Sequence, residues 1–178
     1  VPVTVVTGFL GAGKTTLVRH FLESEEGRGT ALVVNEFGEA GIDDVLLRAS
    51  ADETRLLGNG CLCCNVRSDL QVALRRLISE RERGLVPHFQ RVVIETSGLA
   101  DPGPILTSFA TDRALGGECH IETVIAVADA VNGLAALDQF PEARRQAILA
   151  DTIAVTKTDL ASLEACERLV ARLRALNP

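Results

Sequence analysis

The sequence predicts an α/β fold in which a doubly wound, mostly parallel β-sheet is flanked by helices, within one domain over residues 1–178. Two observations lead to this prediction. Short runs of β-branched and other apolar residues recur without polar alternation, as in strands that are buried on both faces. Segments with apolar residues at helical spacing lie between these runs, and such alternation is typical of parallel sheets.

The strands and helices are assigned in chain order. The predicted strands are Val3–Thr7, Ala31–Asn35, Val92–Glu95, Val124–Asp129 and Ile153–Thr156. The predicted helices are Lys14–Glu23, Ser68–Arg83, Glu142–Ala150 and Ser162–Leu176. Two stretches rich in glycine or proline, Gly98–Pro104 and Gly116-Gly117, are predicted to be loops.

Composition narrows the class of function. The net charge of −6 argues against nucleic acid or an anionic membrane as the main partner. No apolar run approaches the roughly 20 residues of a membrane span, and the opening VPVTVVTGFL lacks the basic start of a signal peptide. We therefore expect a cytoplasmic protein. Its 5 cysteines, an odd number, disfavour a disulfide framework.

The segment GFLGAGKT, from Gly8 to Thr15, fits the phosphate-binding pattern G-x-x-x-x-G-K-[ST] between a predicted strand and a predicted helix. Its glycines let backbone N–H groups turn toward phosphate oxygens, and the helix N-terminus adds its positive end. Lys14 is expected to reach the β- and γ-phosphates, Thr15 to bind Mg²⁺ and Thr16 to contact the α-phosphate. The other predicted nucleotide contacts in this loop are Gly8, Gly11, Ala12 and Gly13. The alternative is an ordinary glycine turn before a helix.

A second segment, which is acidic, is expected to help bind the Mg²⁺ ion. In RVVIETSG, from Arg91 to Gly98, an apolar strand delivers Glu95 to the carboxyl edge of the sheet, where ligands bind in such folds. Glu95 is expected to hold the metal through water, and the Gly98 N–H to sense the γ-phosphate. A solvated glutamate at a strand end is the alternative.

The identity of the base is predicted from Thr156-Lys157-Thr158-Asp159, which resembles the guanine-reading N-K-x-D of GTPases. The Asp159 carboxylate would accept two hydrogen bonds from guanine, and adenine would leave it unpaired. Lys157 would pack its aliphatic stem along the base. Thr156 replaces the usual asparagine, so we expect one side-chain contact to be weaker, with a larger effect on nucleotide affinity than on the choice of base.

Three cysteines are clustered in GNGCLCC: Cys61, Cys63 and Cys64. Thiolates at this spacing can chelate Zn²⁺, Co²⁺, Ni²⁺ or copper, and an incomplete ligand shell suits a metal that is loaded and released. The alternatives are a redox pair of Cys61 with Cys64, a structural site, or cysteines without a function, and the redox pair leaves Cys63 unexplained. Cys119-His120 is another local pair that could approach in space, whereas Cys166 is expected in the core.

These motifs together resemble the CobW-like GTPases, which are grouped with the nickel-inserting GTPases of urease and hydrogenase maturation. The resemblance rests on GFLGAGKTT, NEFGEAGIDD at 35–44, GNGCLCC at 58–64, IETSGLADPGP at 94–104 and TKTDL at 156–160. It implies a P-loop NTPase fold and slow, Mg²⁺-dependent GTP hydrolysis. It also implies delivery of a transition metal, Zn²⁺ or Co²⁺, to a client metalloprotein or metal-inserting enzyme.

The resemblance also implies roles for residues 35–44, the family's first switch region. Glu36, Glu39 and Asp43 are candidates there for contacting Mg²⁺, its water or the transferred metal, and a solvated acidic loop is the alternative. We expect residues 1–178 to form the GTPase domain alone, without the C-terminal domain that is usual in the family. A homo-oligomer is compatible with the sequence.

Two other functions are compatible with parts of this pattern. A zinc store or sensor that does not hydrolyse nucleotide would use the cysteines and leave the phosphate loop vestigial. A P-loop kinase acting on a small metabolite would leave both TKTD and the cysteine cluster unexplained.

Overall fold

The computed structural model describes residues 1–35, 45–48, 54–56 and 68–178. The strands are β1 (Pro2–Gly8), β2 (Thr30–Asn35), β3 (Val45–Arg48), β4 (Thr54–Leu56), β5 (Arg91–Thr96), β6 (His120–Asp129) and β7 (Thr152–Thr156). The helices are α1 (Lys14–Glu23), α2 (Ser68–Glu82), α3 (Gly103–Thr111), α4 (Arg113–Glu118), α5 (Gly133–Gln139), α6 (Pro141–Ile148) and α7 (Leu163–Leu176).

The described strands form one sheet in the order β4-β3-β2-β5-β1-β6-β7. The five strands from β2 to β7 in this order are parallel, and β3 and β4 extend the sheet with antiparallel pairing. The predicted fold class, a mostly parallel sheet flanked by helices, is confirmed. Because β1, β5, β6 and β7 are parallel, their carboxyl ends meet at one edge of the sheet, where ligands bind in such folds.

The sheet is covered on both faces, which explains the continuous apolar runs in its strands. Val3 and Val5 of β1 belong to one buried cluster, which includes Leu74 and Leu77 of α2. Val6, the next residue of β1, belongs to a second cluster with Val18 of α1. A third cluster joins α5, α6 and α7. The parallel strands therefore form a middle layer between two layers of helices.

The predicted helix boundaries agree closely with the structure, but two predicted loops are wrong in whole or in part. Gly116 and Gly117 lie within α4, because the side chain of Asp112 caps the preceding residues and starts a helix there. α3 begins at Gly103, inside the segment predicted as a loop. Of the described elements, five were not predicted: the helices α3, α4 and α5 and the antiparallel strands β3 and β4. Among the described residues, no helix is long and apolar enough to cross a membrane.

Candidate nucleotide site

The phosphate-binding motif forms the connection between β1 and α1. Gly8 has φ 143°, and a Cβ atom at this position would lie 2.4 Å from the carbonyl oxygen of Val127 in β6. Gly13 caps α1 with φ 94°. Both positions therefore require glycine, since a side chain would strain the backbone at each and would also collide with β6 at Gly8. Gly11 is likewise left-handed at φ 70°, and Ala12 is buried.

Lys14 lies at the start of α1 and folds back over this loop. Its side chain is buried, with the residue only 8% exposed. The ammonium Nζ donates hydrogen bonds to the carbonyl oxygens of Gly8 at 2.9 Å and Phe9 at 3.3 Å. A buried positive charge at a helix N-terminus is an environment that favours an anion such as phosphate.

The two predicted Mg²⁺ ligands are in contact. The Thr15 hydroxyl donates to Glu95 Oε1 at 2.5 Å, and Glu95 is 5% exposed at the carboxyl end of β5. Hydroxyl and carboxylate oxygens are ligands that Mg²⁺ prefers, so this donor set fits the ion. Thr16, the predicted α-phosphate contact, lies in the first turn of α1 and is exposed.

Gly98 lies in the loop after β5, directly against the phosphate loop. A Cβ atom on Gly98 would be 2.7 Å from the backbone nitrogen of Leu10. Only a residue without a side chain allows the two main chains to approach this closely. The role of Gly98 in sensing a γ-phosphate stays a prediction.

The T-K-T-D segment joins the same edge of the sheet. The Thr156 hydroxyl donates to the carbonyl oxygen of Ala12 at 2.6 Å, which ties this segment to the phosphate loop. The backbone of Lys157 has φ 55°, a left-handed conformation that residues other than glycine rarely adopt. Asp159 lies in the following turn and is exposed. The predicted base-reading residues and the predicted phosphate-binding residues are thus brought together.

Asp129 is a site residue that sequence reasoning missed. It ends β6, and its Oδ2 accepts a hydrogen bond from Lys157 Nζ at 2.6 Å. Its Oδ1 accepts from the backbone N–H groups of Val131 at 2.7 Å and Asn132 at 3.3 Å. The available signal was an acidic residue at the end of an apolar strand, the same signal that identified Glu95.

Opposing effects act on the Asp129 carboxyl group. Burial raises its pKa, but the hydrogen bonds from Lys157, Val131 and Asn132 outweigh burial and hold the pKa below its usual range. The carboxylate therefore stays ionised at neutral pH and stabilises the position of the Lys157 ammonium.

With this geometry established, comparison with known proteins identifies the family. A profile described as "CobW/HypB/UreG, nucleotide-binding domain" matches residues 2–178. The chain belongs to this family. The predicted resemblance to the CobW-like GTPases is thereby confirmed.

Two curated relatives are similar in sequence to most of this chain. The chain is 42% identical over 177 residues to "Zinc chaperone YjiA" of Escherichia coli (strain K12), covering 99% of this chain and 55% of the relative. It is 38% identical over 172 residues to "Zinc-regulated GTPase metalloprotein activator 1" of Schizosaccharomyces pombe, covering 93% of this chain and 41% of the relative. The chain thus spans about half the length of the curated relatives it matches, or less.

Solved structures of the family agree with the fold. The structure matches Zn(II)-bound YjiA GTPase from E. coli with a TM-score of 0.73 at 40% identity, covering 97% of this chain and 54% of that one. It matches HypB from Helicobacter pylori in complex with nickel with a TM-score of 0.56 at 15% identity, over 99% of this chain and 75% of that one. The second likeness shows the fold alone.

Several predicted site residues of this CobW-family domain lie outside the described residues. They are Glu36, Glu39 and Asp43 of the predicted switch region and Cys61, Cys63 and Cys64 of the predicted metal loop. Within residues 1–35 and 68–178, no cluster of three or more histidine, cysteine, aspartate or glutamate side chains could hold a metal ion. The transition-metal site therefore stays a prediction.

The Cys119-His120 pair does not contribute to the nucleotide edge. Cys119 precedes β6, and His120 is the residue at which that strand begins, at the opposite edge from the phosphate loop. Cys119 is 1% exposed, and burial raises the pKa of its thiol to about 11. A protonated thiol that donates to the Leu115 carbonyl is a poor metal ligand. Cys166, expected in the core, is half-buried on α7.

Proposed function

We propose that this domain binds and hydrolyses GTP with Mg²⁺ and that its nucleotide state controls the binding and delivery of a transition metal, Zn²⁺ or Co²⁺. The observation that carries the nucleotide half is the contact between Thr15 and Glu95 beside the buried ammonium of Lys14. These groups come from two separate segments of the chain, and together they supply a cation for phosphate and oxygen ligands for Mg²⁺.

In the proposed reaction, water attacks the γ-phosphorus and the bond to the β–γ bridging oxygen breaks, giving GDP and inorganic phosphate. Lys14 stabilises the negative charge on the phosphate oxygens. Bound Mg²⁺, held by Thr15 directly and Glu95 through water, would neutralise charge on the β- and γ-phosphates. Glu39 and Asp43 are proposed to act near the attacking water.

Guanine preference is supported by the position of the T-K-T-D segment. The Thr156 bond to Ala12 holds this segment next to the phosphate loop, and Asp129 fixes the Lys157 side chain. We propose that Asp159 accepts hydrogen bonds from guanine and that Lys157 lines the base. An exposed Asp159 suits this role, because the ligand supplies its partners.

The metal half of the proposal is supported by the names of the relatives, which describe zinc chaperones and a zinc-regulated GTPase. We propose that Cys61, Cys63 and Cys64 bind the transferred metal, with Glu36 as a further candidate ligand, and that a client metalloprotein receives it. Thiolate ligands suit Zn²⁺ and Co²⁺. GTP would raise the affinity for metal, and hydrolysis would lower it.

Two measurements test this proposal. Phosphate release from GTP should depend on Mg²⁺ and fall at least about 100-fold in Lys14→Ala, because the variant loses charge stabilisation at the γ-phosphate. Arg28→Ala is the matched control, since Arg28 is an exposed cation near the end of α1 that pairs only with the exposed Glu25 in the described structure. A wild-type rate no faster than that of Lys14→Ala would mean a binding module without hydrolysis.

The second measurement is a Co²⁺ titration, followed by thiolate absorption, with GDP and with a slowly hydrolysed GTP analogue. Coupling of about 1–3 kcal/mol predicts roughly 5–150-fold tighter metal binding with the analogue. The same factor must then appear in analogue binding with and without Co²⁺. Equal Co²⁺ affinities in the two nucleotide states would refute the coupling.

A further inference from the structure

Gln146 is a buried polar residue of α6 that has no role in the proposed nucleotide chemistry. It is 1% exposed. Its side-chain amide nitrogen donates to the carbonyl oxygens of Gly98 at 3.1 Å and Ala100 at 2.9 Å. Both acceptors belong to the loop after β5, which connects Glu95 with α3.

The orientation of this amide is dictated by the loop. Gln146 Oε1 has no hydrogen-bond partner among the described residues. Turning the amide over would place that oxygen against two carbonyl oxygens, which repel it. Gln146 also lines a cavity of about 40 Å³ beneath the phosphate loop, large enough for a water molecule. The amide thus uses both donors on the loop at the expense of its acceptor.

The α6 region contacts both nucleotide loops. Phe140, which caps α6, stacks on Phe9 of the phosphate loop with ring centroids 4.5 Å apart. On the other side, Arg145 Nη1 donates to Asp101 Oδ2 at 2.8 Å in the loop after β5. Gln146, the next residue of α6, donates to the main chain of the same loop. A shift of its donors would move the Gly98 peptide relative to Leu10.

We propose that Gln146 is a positioning residue that holds the Gly98 peptide against the phosphate loop and thereby makes the site distinguish a nucleoside triphosphate from a diphosphate. The inference rests on the proposed binding of GTP, and it adds a residue outside all the nucleotide motifs. The backbone N–H of Gly98 can contact a γ-phosphate only if it is held at a fixed distance from Lys14 and Thr15. Gln146 fixes the same residue through its carbonyl oxygen. A diphosphate does not extend to that position.

The test compares two nucleotides on Gln146→Met, a variant of similar length that has no donors. With Mg²⁺ present, affinity for GTPγS should fall about tenfold, the effect of one to two hydrogen bonds. Affinity for GDP should stay within about twofold of wild type, because a change limited to the Gly98 loop leaves the diphosphate contacts in place. Gln139→Met, at an exposed glutamine that ends α5, is the matched control and should change neither affinity.

A merely structural role for Gln146 predicts a different result. In that case both nucleotides weaken together, and the ratio of GTPγS to GDP affinity stays at its wild-type value. That result overturns the proposal, as does an unchanged affinity for both. A wild-type protein that binds neither nucleotide overturns this inference and the proposed function together. A wild-type protein that binds GTPγS but releases no phosphate from GTP overturns hydrolysis alone, and the affinity ratio still decides the role of Gln146.

A measurement on the unmodified protein guards against a variant that does not fold. With ¹⁵N-labelled glutamine, the side-chain NH₂ signals of Gln71, Gln90, Gln139 and Gln146 can be followed as GDP is exchanged for GTPγS. The Gln146 signals should shift more than those of the other three glutamines. The reason is that the Gln146 NH₂ group donates to the loop that is proposed to contact the γ-phosphate. Gln146 signals that shift no more than those of Gln139 would overturn the proposal.

Discussion

At the scale of single residues, the two lysines are the most telling feature. Lys14 and Lys157 are the only lysines in the sequence, and every other strongly basic side chain is arginine. Each lysine is held in place, Lys14 by the carbonyl oxygens of its loop and Lys157 by the Asp129 carboxylate. Long side chains lose conformational entropy when a ligand fixes them. Since the side chains of Lys14 and Lys157 are already fixed in the folded protein, part of this entropy is lost during folding and not when the nucleotide binds.

The Asp129–Lys157 pair gives a prediction about pH. Asp129→Asn should lower the free energy of unfolding by about 1–3 kcal/mol at pH 7, because a charged hydrogen bond is replaced by a neutral one. The pKa of Asp129 is lower in the folded state, so its stabilising effect is present above the usual carboxyl pKa and is lost as pH falls through the lower folded value. Urea unfolding of both proteins from pH 7 to pH 3 measures the difference.

The control for this prediction is Asp138→Asn. Asp138 pairs with Arg172 at 3.6 Å, and its side chain is 61% exposed, so the substitution should cost less than about 0.5 kcal/mol. A constant difference between wild type and Asp129→Asn down to pH 3 would contradict a lowered pKa at Asp129. A difference that grows as the pH falls would contradict it too.

At the scale of elements, the parallel strands were predictable because burial on both faces leaves a continuous apolar run in the sequence. The short antiparallel strands β3 and β4 were not, since VLLR and TRL are too short to show a period. The glycines of α4 were assigned to a loop because glycine is a poor helix former. The Asp112 cap and the buried Leu115 outweigh that preference in the folded chain.

Substitution of glycine by alanine should therefore have opposite effects in two elements. Gly117→Ala should raise the free energy of unfolding by about 0.5–1 kcal/mol, because Gly117 is helical and a Cβ atom there has nothing within 4 Å. Gly8→Ala should lower it by more than about 2 kcal/mol, because its Cβ atom would collide with Val127 and its φ is left-handed. Chemical denaturation measures both. A destabilised Gly117→Ala would contradict the helical assignment of α4.

At the scale of the whole molecule, parallel topology brings Gly8, Glu95, Asp129 and Thr156 to one edge of the sheet. The sequence predicted this convergence for the segments whose motifs carry a known chemistry. It could not predict Gln146, since a polar residue on an amphipathic helix is expected to face solvent. Only the packing of α6 against the loop after β5 buries that amide, and such tertiary contacts leave no periodic signal.

Because the site joins four adjacent parallel strands with α1, a bound nucleotide should stabilise the whole fold. GDP with Mg²⁺ at 100 times its dissociation constant should add about 2.7 kcal/mol, which corresponds to a rise in Tm of roughly 5–10 °C. ADP at the same concentration should raise Tm by less than about 2 °C, since adenine leaves Asp159 unpaired. Thermal unfolding followed by circular dichroism measures both shifts, and Lys14→Ala should remove the GDP effect. Equal shifts with GDP and ADP would mean that Asp159 does not read guanine, while the phosphate-binding role of Lys14 would stand.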